Sequence, residues 1–101
     1  MLNQIVLVGR IKEKPVLKEL ENKKLCELVL SVPRNYKDEE GEYQTDDIPC
    51  MLYNGIAENV LEYCTKGDLV GIKGRIENID GSIKICTEKV TFLSSKKKEG
   101  E

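Results

Sequence analysis

A chain of 101 residues with 40% hydrophobic and 34% charged side chains has the size and make-up of one small folded domain, so one domain is the expectation and a wholly disordered chain is excluded. No apolar run approaches the ~20 residues of a membrane span, and Met1 is followed by Leu-Asn-Gln-Ile without a basic stretch, so the expectation is a cytoplasmic protein with no signal peptide and no membrane contact. The net charge of −2 is concentrated: residues 34–47, RNYKDEEGEYQTDD, hold six acids and two bases, which leaves the rest of the chain at +2 and a polyanionic partner open.

Residues 5–12 alternate, with Ile5, Leu7 and Ile11 on one face and Val6, Val8, Arg10 and Lys12 on the other, and so predict a strand. Val6 and Val8 make its second face half apolar and are the expected oligomer contact. Pro15 lacks an N–H and interrupts the ladder. Residues 25–32 form a second strand with Cys26, Leu28, Leu30 and Val32 inward. The acidic stretch then makes a protruding hairpin, its tip Glu39-Glu40-Gly41-Glu42 a turn or mobile loop that solubilises. A third strand over 48–53 turns Ile48, Cys50 and Leu52 in and Pro49, Met51 and Tyr53 out.

Residues 56–64 are the one helical stretch: Ala57, Val60, Leu61 and Cys64 fall at i, i+3, i+4 and i+7, and Gly67 offers a stop. Alternation returns over 68–79, with Val70, Ile72, Gly74 and Ile76 inward and Lys73, Arg75 and Glu77 outward. Asp80-Gly81 is a type I′ hairpin signal. The last strand, 82–93, slips in phase between Ile83/Ile85 and Cys86/Val90/Phe92, which predicts a bulge. Five short strands with one helix between strands 3 and 4 predict an all-β chain, a five-stranded OB-fold Greek-key barrel, with Gly71 and Gly74 at a tightly coiled corner. The domain spans 1–93. Residues 94–101 carry no core side chain and read as a disordered charged tail.

Chemistry of the catalytic kind is absent from the pattern: there is no histidine, no phosphate-binding glycine loop, and no nucleophile with a nearby base. Cys26, Cys50, Cys64 and Cys86 lack any CxxC spacing and read as buried thiols, so neither metal nor other cofactor is expected. Asp46 and Asp47 point to opposite faces of a strand and read as a solvated pair. A binding role has more support. Arg10 and Lys12 on the first strand, Lys73 and Arg75 on the fourth and Lys84 on the fifth all face outward as a shallow basic track. Arg34 and Tyr36 at the hairpin base, together with Tyr53, supply the charge and aromatic faces that grip unpaired bases.

The opening MLNQIVLVGRI and the block AENVLEYCTKGDLVGIKGRI, joined by CELVLSVPRNY, resemble the bacterial single-stranded DNA-binding protein family over residues 1–93. The resemblance implies an OB-fold homo-oligomer, commonly a tetramer and alternatively a dimer, that wraps single-stranded DNA with little sequence preference during replication, recombination or repair. Tyr36 and Tyr53 fall where the family has stacking aromatics. Asp47 stands where the family has tryptophan or phenylalanine, and the short turn Ile79-Asp80-Gly81-Ser82 replaces a longer hairpin that carries another. Weaker or more salt-sensitive binding is the expectation. The closing Lys-Lys-Lys-Glu-Gly-Glu differs from the family's acidic tip, so recruitment of repair enzymes by that route is not expected. The alternative is a protein-interaction OB module of a replication or primosome assembly.

Overall fold

The computed structural model describes residues 1–94, in which the chain forms β1 (Ile5–Ile11), β2 (Leu17–Leu20), β3 (Lys23–Lys37), β4 (Tyr43–Tyr53), α1 (Asn54–Tyr63), β5 (Leu69–Ile79) and β6 (Ser82–Ser94). The tail expected over 94–101 lies, from residue 95 on, outside the described residues. Five of the strands run β1-β5-β6-β4-β3, and β1 returns to β3 through Arg10↔Ser31 and Ile11↔Leu30. The sheet is thereby a closed barrel. Its one parallel contact is β4 with β6, through Cys50↔Ile85 and Met51↔Cys86.

Closure depends on a glycine. β1 pairs with β5 from Ile5 to Arg10 and with β3 from Arg10 onward, so Gly9 sits where one strand serves two neighbours. A Cβ there would lie 2.4 Å from the Ser31 carbonyl oxygen. Gly74 is as constrained, its Cβ position 2.2 Å from the Cys86 carbonyl oxygen, whereas Gly71 meets nothing nearer than 3.7 Å. The tight corner expected at Gly71 and Gly74 is therefore at Gly74 alone. The bulge lies beside it: Lys73 faces Lys89 and Gly74 faces Thr87, which leaves Glu88 as the extra residue.

The core is what the alternation of the strands dictates. Ile11, Leu28, Leu30, Leu52, Val70 and Ile72 are fully buried, each stabilising the barrel by about 1.5–3 kcal/mol. α1 closes one end of the barrel with Ala57 and Val60, followed by Cys64, all buried. It starts without a loop: Asn54, at φ 50°, makes the corner, and its side-chain oxygen accepts a hydrogen bond from the Lys24 N–H at 3.3 Å. Asp80 and Gly81, at φ 52° and 84°, form the expected I′ turn. All four cysteines are buried free thiols, and among the described residues no group of side chains has a metal-binding arrangement. No described helix is long and apolar enough to cross a membrane.

Two further parts of the sequence reading need correction. A sixth strand, β2, pairs with the start of β3 from Leu17↔Cys26 to Leu20↔Lys23 across a second positive-φ turn at Glu21-Asn22. Ile76, expected inward, is 41% exposed. The reason is that the β1–β5 pairing stops at Ile5↔Gly74, so the β1 side of β5 has no strand beside it from Arg75 on. The Asn3 side chain extends the ladder there, donating to the Ile76 carbonyl at 2.8 Å and accepting from its N–H at 2.9 Å.

Candidate nucleic-acid interface

β3 and β4 continue past the barrel as a two-stranded arm. Beyond the pair Val32↔Asp46 neither strand has another neighbour, and residues 33–36 are exposed on both faces. A two-stranded ribbon is marginal alone, so the arm needs local support. Its tip supplies some through Asp38, whose carboxylate accepts from the N–H groups of Glu40 and Glu42 at 2.9 Å each and from Gln44 Nε2 at 2.6 Å. These bonds, that of Gln44 first, hold the Asp38 carboxyl below the usual carboxylate range. The tip is a hydrogen-bonded turn, with Gly41 at φ 83°.

Two tyrosines stand along this arm with a cation against each ring. Arg34 lies 5.9 Å from the centre of Tyr36, and Lys37 lies 5.8 Å from the centre of Tyr43. Tyr36 is 57% exposed and Tyr43 58% exposed. Tyr43 and Lys37 were not among the expected site residues, because whether they meet depends on the register Lys37↔Tyr43 across the turn. Tyr53 differs: it is half-buried at the far end of β4, and burial pushes its hydroxyl pKa up, with Cys86 the next contributor. Its ring offers less free surface than the two on the arm.

The expected cations reach the surface, but three of them meet carboxylates there. Arg34 donates Nε and Nη2 to Asp46 at 3.1 and 3.0 Å. Lys12 Nζ donates to Asp47, whose other oxygen accepts from Ser31 Oγ at 3.2 Å. Arg75 donates to Glu77 and, at 3.2 Å, to Glu88. These hydrogen bonds are the first cause of the raised pKa of Lys12, Arg34 and Arg75 and of the lowered pKa of Asp46 and Asp47. Asp46 and Asp47 do point to opposite faces, yet each is paired and neither is a merely solvated acid.

The remaining cations are placed less symmetrically. Arg10 donates to the Gly67 carbonyl at 2.9 Å and borders a groove of about 330 Å³ at the arm's base, lined also by Val8, Ser31, Pro33 and Thr45. Lys73 lies between Val6 on β1 and Lys89 on β6, and Lys84 lies opposite Glu77. Two like charges facing each other across a ladder repel, so Lys73 and Lys89 favour an anion between them. The expected single track is thus two clusters. One surrounds the arm's base, and the other sets Arg75 near Tyr53, with Lys84 further along β6 opposite Glu77. The outward row Asp47, Pro49, Met51, Tyr53 along β4 joins them over about 20 Å.

A closed five-stranded barrel with a parallel β4–β6 contact, a helix between its third and fourth barrel strands and a cation-backed aromatic arm defines an OB-fold binding protein. The chain is similar in fold to a single-stranded DNA binding protein from Thermus aquaticus, with a TM-score of 0.76 over 94% of this chain and 23% identity, and it spans about half (52%) of that longer chain. It also matches the SSB domain of a Synechococcus protein, with a TM-score of 0.72, 18% identity and coverage of 90% and 96% of the two chains. In sequence it is 36% identical to single-stranded DNA-binding protein 1 of Clostridium acetobutylicum, over 95% of this chain and 97% of that one. It is 35% identical to single-stranded DNA-binding protein B of Bacillus subtilis, over 98% and 96%. The model of the single-strand binding protein family matches residues 2–91, and the chain belongs to that family.

Proposed function

We propose that this protein binds single-stranded DNA with little sequence preference, by equilibrium stacking and phosphate contact and without a covalent step. The observation that carries the reading is the arm: Tyr36 and Tyr43 each have a cation over the ring and are more than half exposed, an arrangement on which a splayed-out base can stack. Arg10, Lys73 and Lys84 supply phosphate contacts, with Lys12, Arg34 and Arg75 joining as they leave their carboxylates. Tyr53 is a secondary platform. Membership of the family and relatives named as single-stranded DNA-binding proteins support the same ligand. In this reading the protein works in the cytoplasm, on strands opened during replication, recombination or repair.

Wrapping a strand takes several barrels, and the reading includes a homo-oligomer, a tetramer in preference to a dimer. Val6 and Val8, 66% and 49% exposed on the outward face of β1, are its proposed contact. The test is a salt titration of binding to a dT oligonucleotide, run beside a light-scattering mass with and without the strand. Log-linear weakening with salt and a mass of several chains are expected. A monomer with no measurable binding at low salt would defeat the proposal.

A further inference from the structure

Four observations about the arm's base bear on how tightly it binds. The Arg34 guanidinium spends two of its donors on Asp46 in a fork, the geometry it would otherwise offer a phosphate. The Lys12 ammonium is held by Asp47. All four of these side chains remain two-fifths or more exposed, so a ligand reaches them without unfolding anything. The acids come from one strand, β4, and the bases from β3 and from the residue that follows β1, so barrel closure and the β3–β4 register set the pairing.

From this arrangement we infer that Asp46 and Asp47 are built-in competitors of the ligand phosphates, and so set the affinity and salt sensitivity of the site. The inference rests on the proposed single-stranded DNA binding. A carboxylate and a phosphate diester are both acceptor-rich anions seeking the same donors. A strand that uses Arg34 or Lys12 must displace the carboxylate there to do so. Exposed ion pairs are weak, so the exchange is reversible and each pair lowers affinity by a small factor. A cation that stays with its acid also neutralises no phosphate, and the salt dependence is shallower for it. In this chain the two acids hold the site between a strong polyanion trap and an inert surface.

Asp46→Asn and Asp47→Asn keep size and hydrogen-bonding capacity while removing the competing charge. Each is expected to tighten binding to a dT oligonucleotide by about threefold at low salt, the factor an exposed ion pair is worth. The salt plot should steepen by about 0.7 for every cation released. Glu40→Gln at the tip makes the same change in net charge away from both pairs, and it should leave the slope unaltered. The gain from Asp46→Asn should vanish when Arg34→Gln is already present, because the partner it frees is gone. Asp46 lies where the arm leaves the barrel, so its variant keeps the test open if Asp47→Asn unsettles the closure, which thermal melting will report. Wild-type binding that neither variant tightens beyond Glu40→Gln overturns the inference and leaves the proposed function standing. Absence of binding by the wild type and all variants overturns both.

Discussion

The barrel and the arm share two strands, β3 and β4, yet different physics holds each. Within the barrel β3 buries Cys26, Leu28 and Leu30 completely; six residues later the same strand is exposed on both faces. The barrel is stabilised by desolvation and close packing, which tolerate no added atom at Gly9 or Gly74. The arm is held by one capped turn, two cation–ring contacts and an ion pair at its base. Stability therefore resides in one region and ligand contact in the other, and each can be perturbed without the other.

The sharpest way to break that separation is in the core. Leu28→Ala should cost about 2–5 kcal/mol in urea unfolding, and a smaller loss would mean that the barrel is not the stable unit. Gly74→Ala forces a Cβ onto the Cys86 carbonyl and should cost about 1–3 kcal/mol by the same measurement. On the arm, Tyr36→Ala and Tyr43→Ala should each lose about 1–3 kcal/mol of oligonucleotide binding with the melting temperature nearly unmoved. Equal losses of binding and stability would show that those rings pack and do not stack. The smallest effect is on pH. Asp46 and Asp47 have lowered pKa in the folded chain, so the stability they contribute is complete above their unfolded value of about 3.9 and is lost as pH falls through their lower folded values. Melting curves should show no change from these two groups between pH 7 and pH 5, and the loss of their contribution only in strong acid.

The barrel was more legible in the sequence than the arm's chemistry, for a reason that particular residues make plain. Ile5, Leu7 and Ile11, or Cys26, Leu28 and Leu30, declare a half-buried strand by spacing alone, because burial repeats every second residue whatever the partner strand is. Asp80-Gly81 declared its turn by residue type. β2 was hidden because four residues are too few for a pattern and Glu21-Asn22 is not a familiar turn pair. The ion pairs of Asp46 and Asp47 and the meeting of Lys37 with Tyr43 depend on register across strands, which alternation leaves undefined. A resemblance to relatives pointed to Tyr36 and Tyr53 as candidates, but only the packing around Tyr53 separates a half-covered ring from an open one.

The seclusion of all four thiols has a practical consequence. Burial raises the pKa of Cys26, Cys50 and Cys64 to about 11, and Cys86 is 2% exposed. A single cysteine introduced as Glu40→Cys would then be the one sulfhydryl that a maleimide dye finds at neutral pH. The arm becomes a place to mount a fluorophore whose brightness reports the arrival of a strand, with no native residue first having to be removed.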